Sequence, residues 1–356
     1  MSIDLNYFLE EMVKRGASDL HLSSGYVPHI RVDGRLIGLG TTVIDAVSTK
    51  ELVYSILTDE QKKRFEQDRE LDFSFSREGL ARFRVNAFWQ RGYVGAAIRA
   101  LPFEIMSFEE CGLPVDVMED FCNRQKGLVL VTGATGSGKS TTLASMVDWI
   151  NKHKSVHIIT IEDPIEYVHQ NKKSVIDQRE VGSDTLSFAQ ALKHVLREDP
   201  DVILIGEMRD LETIESALII AETGHLVLAT LHTSDSIQTI NRIIDVFPAR
   251  QQQQVRTQLS FVLTGILSQQ LIPRVNGTGR VLAVEVLVAN HAIRNQIREA
   301  KVHQIYSVIQ TGQRDGMKTM NQSLFELFLK GEITKEEAFS RTTELEDMER
   351  MFKEKG

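Results

Sequence analysis

The stretch that decides the fold is VTGATGSGKSTT, residues 131–142. Within it Gly133 and Gly138 bracket four residues, and Lys139 and Ser140 follow directly, which is the spacing of a phosphate-binding loop. The apolar run GLVLV before the loop predicts a strand, and the segment from Lys139 onward predicts a helix whose N-terminus stabilises anions. Because strand, loop and helix agree, the stretch predicts a nucleotide site rather than a chance glycine-rich turn.

Each part of this loop has a predicted role. The glycines allow successive backbone N–H groups to turn toward phosphate oxygens. Lys139 is expected to reach the β- and γ-phosphates of ATP, and the Ser140 hydroxyl is expected to hold Mg²⁺. The predicted nucleotide-binding residues are Gly133, Ala134, Thr135, Gly136, Ser137, Gly138, Lys139, Ser140 and Thr141. The loop alone does not tell what work the nucleotide drives, since kinases, GTPases, helicases and motors share it.

The composition excludes several classes of protein. The chain has 356 residues, of which 42% are hydrophobic and 25% charged, and this indicates a soluble globular protein of two or three domains. The net charge is -8, an acidic balance that argues against nucleic acid as a partner. Cys111 and Cys122 form no C-x-x-C pair, so we expect reduced thiols rather than a metal site.

The apolar segments are too short to cross a membrane. Residues 1–22 mix acids and a lysine into their apolar pattern, which is not typical of a signal peptide. Runs such as GLVLV and DVILIG fall short of the roughly 18 residues that a span requires. We therefore expect a cytoplasmic protein, or one that docks on a membrane from the cytoplasm.

Hydrophobic periodicity divides the chain into four predicted parts. Residues 1–100 combine a helical stripe with short alternating strands and a hairpin turn at Asp33–Gly34, and they predict a small α+β domain. Residues 101–114 contain prolines and a glycine that break both periodicities, and they predict a linker. Residues 115–290 alternate apolar runs with amphipathic helices and predict a mostly parallel sheet, while residues 291–356 predict helices. The predicted fold class is α/β.

Three of the predicted buried strands end in an ionisable residue. Ligands of open parallel sheets bind at the carboxyl ends of the strands, which is where the phosphate-binding loop also lies. The three residues are Glu162, Glu207 and His232. Each alone is compatible with a solvated strand end, but their coincidence predicts one shared site.

Hydrolysis needs an oriented water and neutralised phosphate charge, which suggests a role for each residue. Glu162 is the candidate that polarises the water, and Glu207 is the candidate that supports Mg²⁺, directly or through a water. The aspartate usual at the end of the Mg²⁺-supporting strand is missing, because Gly206 stands there. This departure leaves open which carboxylate is the base. His232 suits a polar sensor of the γ-phosphate.

Two histidines invite a zinc interpretation, which their spacing disfavours. His225 and His232 are seven residues apart on one predicted strand. An odd separation puts their side chains on opposite faces of the sheet, so they cannot chelate one ion while the strand stays regular. We instead expect His225 to report across a subunit boundary.

P-loop enzymes commonly complete their site with an arginine. Arg82, Arg84 and Arg99 lie on predicted strands of the first domain. Alternation in ARFRVNAF puts Arg82 and Arg84 on the same face, and a solvated sheet face explains this pattern equally well. The family resemblance described next favours the catalytic interpretation for Arg84 and Arg99.

Together these motifs resemble a known family, the hexameric secretion ATPases of type II secretion and type IV pili. The similarity is greatest to the pilus retraction (PilT-like) branch and runs from about residue 3 to about residue 330. Several long motifs in the family's order are far more specific than the phosphate-binding loop alone. The segments are GATGSGKSTT, ITIEDPIEYVH, DPDVILIGEMRD, TGHLVLATLHT, GASDLHLS, ARFRVNAF, DQREVG and GMKTMNQSL.

The resemblance implies a PAS-like N-terminal domain, a RecA-like ATPase domain and a homo-hexameric ring. In such rings the nucleotide lies between the two domains, and arginines of the N-terminal domain, here Arg84 and Arg99, complete the site. The implied work is retraction of type IV pili for twitching motility. The implied partners are a platform protein, approached from the cytoplasmic face of the inner membrane, and a paralogous retraction ATPase.

Two features favour the retraction branch. The chain lacks the four-cysteine zinc insertion that assembly and secretion relatives usually carry. In addition AIRNQIRE, residues 292–299, resembles the retraction signature AIRNLIRE, with Gln296 in place of leucine. Arg294 and Arg298 are four residues apart and predict a basic ridge for docking or transmission. An ordinary amphipathic helix packed on the ATPase domain is the alternative.

Other functions stay open at the level of sequence. One is an assembly or secretion ATPase of the same superfamily, and another is an accessory retraction paralogue whose hydrolysis is incidental. A RecA-like nucleic-acid motor is the third. It predicts Lys/Arg-rich loops interleaved with aromatic residues for strand tracking, and the sequence has no such stretch.

Overall fold

The structure is a computed structural model that describes residues 4–32, 34–77, 79–101 and 104–355. The chain divides into two compact units, residues 1–104 and residues 105–356.

The first unit is an antiparallel sheet with three helices. Its strands lie in the order β3-β2-β1-β6-β5-β4, and strand alternation buries one face while the other carries polar residues. Gly34 lies between β2 and β3, whereas Asp33 of the predicted hairpin turn lies outside the described residues. The elements are α1 (Leu5–Lys14), β1 (Asp19–Leu22), β2 (His29–Val32), β3 (Arg35–Gly38), α2 (Ala46–Tyr54), α3 (Asp59–Asp68), β4 (Glu70–Arg77), β5 (Ala81–Gln90) and β6 (Tyr93–Leu101).

The second unit is a seven-stranded sheet in the order β13-β12-β7-β11-β10-β8-β9. Neighbouring strands are parallel, except that β12 and β13 pair antiparallel. The strands are β7 (Gly127–Thr132), β8 (His157–Glu162), β9 (Val175–Glu180), β10 (Val202–Ile205), β11 (Leu226–Leu231), β12 (Leu263–Pro273) and β13 (Arg280–Val288).

Helices cover both faces of this sheet. The helices are α4 (Val115–Asn123), α5 (Lys139–His153), α6 (Phe188–Val195), α7 (Leu211–Glu222), α8 (Ser236–Asp245), α9 (Ala249–Val262), α10 (His291–Arg298), α11 (Ile305–Thr311), α12 (Met320–Leu329), α13 (Lys335–Arg341) and α14 (Leu345–Lys355). None of the helices within the described residues is both long and apolar enough to cross a bilayer.

Burial on both faces explains the continuous apolar runs of the central strands. In β7, Leu128 and Leu130 join one apolar cluster, while Val129 and Val131 join the cluster on the opposite face. A strand with two buried faces cannot alternate apolar and polar residues, so it reads as an unbroken run. The predicted fold class, an α+β unit followed by a P-loop α/β unit with a helical C-terminal part, is confirmed.

Two strands of the second sheet are missing from the sequence prediction. Strand β9 is the edge strand, where exposed and partly buried polar residues separate the buried Ile176 and Glu180, so VIDQRE has no apolar run. Strand β12 follows α9 without a loop and carries the polar residues Ser268 and Gln269, which are buried by their neighbours. Both strands owe their conformation to pairing with apolar neighbours rather than to their own composition.

Helix α10 contains the AIRNQIRE segment and packs against α9. Ile293 and Ile297 are fully buried, as the i,i+4 apolar pair requires. The Arg294 guanidinium donates to the carbonyl oxygens of Ser260 (2.6 Å), Phe261 (2.7 Å) and Leu263 (2.9 Å).

These acceptors include the carbonyls that the end of α9 leaves without helical partners. A fourth bond joins Arg294 Nε to the carbonyl oxygen of Ala289 at 3.0 Å. The donors of Arg294 are thus engaged by backbone carbonyls, and the docking ridge of Arg294 and Arg298 stays a prediction. Arg298 is partly exposed and donates to the side chain of Asn295.

Arg294→Ala should destabilise the second unit. Four backbone carbonyls lose a charged donor, and a hydrogen bond to a charged group typically contributes about 1.5–3 kcal/mol, so we expect a loss of about 2 kcal/mol or more. Thermal and denaturant unfolding of the purified variant measure the effect. Arg298→Ala, on the same helix, is the matched control and should stay within about 0.5 kcal/mol of the parent. Equal stability of the two variants would contradict the capping role.

Candidate active site

The phosphate-binding loop lies between β7 and α5. Gly133 has φ 139°, and a Cβ there would lie 2.5 Å from both the Gln269 carbonyl oxygen and the Ser137 Oγ. Only glycine fits this conformation and this close approach. The loop ends at Gly138, the N-cap of α5, so the positive end of that helix points into the loop.

The Lys139 side chain folds back across the loop. Its Nζ donates to the carbonyl oxygens of Gly133 (2.8 Å) and Ala134 (2.9 Å), and the residue is buried. Burial lowers the pKa of Lys139, and the negative charges of Glu166 and Glu207 act in the opposite direction. An anion in the loop would offset this cost of desolvation.

The loop residues fit a nucleotide. The Ser137 Oγ is buried and has no hydrogen-bond partner among the described residues. A buried hydroxyl without a partner costs free energy, which an oxygen-rich ligand would recover. On the first turn of α5 the Ser140 hydroxyl is partly exposed, while the Thr141 Oγ1 lies 2.9 Å from the Tyr167 hydroxyl.

The parallel register brings the three strand-end residues to the edge where the loop lies. Strand β11 is flanked by β7 and β10, and β10 is flanked in turn by β8. His232, Glu207 and Glu162 therefore follow neighbouring strands at their carboxyl ends. The arrangement expected from the sequence is the one in the structure.

Glu207 lies at this edge, and its carboxylate contacts the side chains of Arg209 and His232. Its Oε1 lies 2.7 Å from Arg209 Nη2, and its Oε2 lies 3.4 Å from His232 Nε2. The Glu207 side chain is 14% exposed. Carboxylate and hydroxyl oxygens are ligands that Mg²⁺ prefers, so Glu207, which follows β10, and Ser140, on α5, are the residues that would hold that ion.

The glycine before Glu207 has a steric cause. A Cβ at position 206 would come within 3.2 Å of the Glu162 Cα and of the Ile161 carbonyl oxygen. The end of β8 thus leaves little room for the aspartate that is usual at this point. The acid is displaced by one residue, to Glu207.

Glu162 is held by two hydrogen bonds to the same oxygen. Its Oε1 accepts from Thr160 Oγ1 (2.7 Å) and from Gln178 Nε2 (3.2 Å). Burial raises the pKa of Glu162 to about 7, although both hydrogen bonds lower it. The charge of Glu166 adds to the increase. A carboxyl group that titrates near neutral pH is suited to accept a proton from water.

Arg84 and Arg99 lie in the first unit, on neighbouring strands of its sheet. They are cross-strand partners in the register of β5 and β6 and share the polar face. Arg99 Nε donates to Asp19 Oδ1 at 2.9 Å, and the Arg99 side chain is 63% exposed. Although burial opposes ionisation of Asp19, hydrogen bonds from Ser18 and Arg99 lower its pKa.

The two histidines lie at opposite ends of β11. His232 follows the strand at the loop edge, whereas His225 precedes it and its Nδ1 lies 3.1 Å from Thr223 Oγ1. Within the described ranges, there is no group of three or more His, Cys, Asp or Glu side chains that could hold a metal ion. The structure brings His232 to Glu207 and keeps His225 away from the loop.

Sequence reasoning missed four residues that contact the candidate acids or the loop. They are Thr160, Tyr167, Gln178 and Arg209. Three of them lie within segments that had drawn attention for other residues, and Gln178 lies in DQREVG on the unpredicted β9. The contacts of Gln178 and Tyr167 join segments distant in sequence and carry no signal in a single chain, whereas Thr160 and Arg209 each lie two residues from the acid they contact.

Known proteins are similar to this chain over most of its length. Residues 1–278 match the model of the family described as Type II/IV secretion system protein. The chain is 51% identical to the type IV pilus retractation ATPase PilT of Pseudomonas aeruginosa, across 94% of this chain and 97% of the relative. It is 50% identical to a twitching motility protein of Neisseria gonorrhoeae, across 90% of this chain and 86% of the relative.

The fold agrees with these sequence similarities. A crystal structure of the pilus retraction motor PilT with bound ADP matches with a TM-score of 0.92 and 52% identity, across 98% of this chain and 100% of that one. The resemblance inferred from the motifs is thereby confirmed. The chain belongs to the Type II/IV secretion system protein family and is an ATPase of that family.

Proposed function

We propose that this ATPase powers the retraction of type IV pili and so drives twitching motility. The observation that carries the proposal is 51% identity to a pilus retraction ATPase across 94% of the chain. The nucleotide loop and the three strand-end residues supply the chemistry that such a motor needs. The working form is a homo-hexameric ring with residues 1–100 and 115–290 as its two domains, joined by the linker 101–114 and followed by the helices of residues 291–356.

ATP binds in the loop of residues 133–141. When phosphate enters, Lys139 exchanges the carbonyls of Gly133 and Ala134 for phosphate oxygens, since an ammonium group prefers a full negative charge to a neutral dipole. Ser140 and Glu207 would hold Mg²⁺, which neutralises phosphate charge when bound.

Glu162 acts as the base in this proposal. Its pKa near 7 allows the carboxylate to take a proton from the attacking water at neutral pH. His232, 3.4 Å from Glu207, senses the γ-phosphate through that carboxylate. Arg84 and Arg99 would complete the charge balance at the phosphates, as arginines commonly do in P-loop enzymes.

The ring docks at the cytoplasmic face of the inner membrane on a platform protein, with a paralogous retraction ATPase as a further partner. Arg298 remains the candidate for the docking surface on α10, because it is partly exposed while Arg294 is engaged internally. His225 is the candidate for signalling across a subunit boundary.

Lys139→Ala should abolish both hydrolysis and retraction. The Lys139 ammonium stabilises the negative charge that develops on the phosphate oxygens during hydrolysis. Its removal should lower turnover about 100-fold or more. Lys152→Ala, which removes an ammonium from the far end of the same helix, is the matched control. ATP hydrolysis by the purified variants and pilus counts in cells carrying them measure the outcome. Hyperpiliated cells without twitching support retraction, whereas bald cells would reassign the motor to assembly.

Glu162→Gln should lower turnover by about 100-fold or more and leave the KM for ATP nearly unchanged, because the amide keeps the shape but cannot accept the proton. The parent's kcat/KM should rise as the pH increases through about 7, where Glu162 loses its proton. The residual kcat/KM of Glu162→Gln should not show this rise. It should depend on pH only through the titration of ATP itself. Normal turnover in Glu162→Gln beside an inactive Glu207→Gln would place the base on β10 instead.

Arg84→Ala and Arg99→Ala should each reduce turnover more than nucleotide binding. Arginines of this kind act on charge that develops during phosphoryl transfer. Rings mixed from Arg84→Ala and Glu162→Gln subunits should recover activity if the arginine acts across subunits. Arg91→Ala, at the tip of the β5–β6 turn, is the control. Mixed rings as inactive as either parent variant would exclude action of the arginine across subunits.

A further inference from the structure

Strand β9 contacts the loop that follows Glu162 through Glu180, whose Oε2 accepts from the Ile165 backbone N–H (3.1 Å), and through the Gln178 amide. Gln178 Nε2 donates to Glu162 Oε1 (3.2 Å) and to the Tyr167 carbonyl oxygen (2.9 Å). Gln178 Oε1 accepts from the His169 backbone N–H (2.8 Å). Both N–H groups and the carbonyl of this amide are therefore engaged with one short segment of chain.

The same segment is fixed on its other side by the nucleotide-loop helix α5. Asn151 Oδ1 accepts from the backbone N–H of Lys172 (3.0 Å), and Asn151 Nδ2 donates to the Gln170 carbonyl oxygen (2.7 Å). Tyr167 lies between the two attachments, and its hydroxyl meets Thr141 Oγ1 of α5. A rigid path thus runs from Gln178 through this segment to the first turn of α5.

We propose that Gln178 is a positioning residue for ATP hydrolysis, which holds the Glu162 carboxylate in orientation and ties it to the segment that contacts the nucleotide loop. The inference rests on the proposed role of Glu162 as base. Gln178 and Thr160 both reach Oε1, so together they fix the rotation of the carboxylate. A second shell of this kind keeps a reacting group within the narrow geometry that the chemistry requires.

The geometry distinguishes this role from strand stability. The edge position of β9 requires only backbone pairing with β8, which any strand-forming side chain at 178 would permit. The amide adds donors to a partly buried carboxylate, and donors favour its ionised form. The charged group that opposes them is Glu166, whose negative charge raises the pKa of Glu162.

Steady-state hydrolysis by the full-length protein, measured across pH, tests the inference. Gln178→Leu, which removes the donors and the acceptor, should lower kcat about 10- to 100-fold, the usual range for outer-shell partners, while the KM for ATP changes little. The acid limb of the pH profile should move to higher pH, because Glu162 loses a donor. Asp177→Asn, on the same strand with its side chain on the opposite face, is the matched control and should leave both unchanged.

Gln178→Glu separates positioning from folding. Its carboxylate still accepts from the His169 N–H and so keeps that attachment to the loop, but it cannot donate to Glu162 or to the Tyr167 carbonyl oxygen. A second negative charge beside Glu162 should shift the acid limb further than Gln178→Leu does. Thr160→Val, which removes the other donor to Oε1, should shift the limb in the same direction.

Combination with Glu162→Gln decides whether the two residues act as one unit. In that background Gln178→Leu should cause no further loss of turnover. An equal loss in both backgrounds, or an acid limb that does not move in Gln178→Glu, would overturn the positioning role and leave the base intact. Wild-type turnover in Glu162→Gln would overturn both the role of Glu162 as base and the positioning role of Gln178.

Discussion

The parallel pairing of β7, β11, β10 and β8 is the constraint on which the site depends. Because these four strands run in the same direction, the phosphate-binding loop, His232, Glu207 and Glu162 all emerge at one edge of the sheet. Apolar side chains on both faces of β7 hold that register, since a shift along the sheet would break two apolar clusters at once. The packing of the apolar core therefore fixes where these side chains lie.

Burial at this edge shifts the pKa values of Lys139 and Glu162 in opposite directions. It lowers the pKa of Lys139 and raises the pKa of Glu162 to about 7, since each charged form loses hydration. For the lysine, the incoming phosphate offsets this effect. For the glutamate, the raised pKa suits the proposed role as base, because it brings proton transfer into the neutral range. One physical cause thus acts on both of the residues that we propose for the reaction.

The sequence predicted the fold class and the main elements of the site, and it failed at polar strands and at paired side chains. Strand β12 carries buried Ser268 and Gln269, and β9 is an edge strand, so neither shows an apolar run. Arg294 looked like a free basic residue at helical spacing, yet it binds the carbonyls at the end of α9. Periodicity tells which face a residue occupies but not which partner it meets.

The sequence by itself determined the nucleotide loop, the strand-end residues and the family. Local spacing is enough for these features, because glycine conformation, strand and helix follow one another along the chain. Only the tertiary structure decided that Gln178 holds Glu162, that Gly206 leaves little room for an aspartate, and that Arg294 is a helix cap. Each of these joins segments that only folding brings together, and a single chain carries no record of such distances.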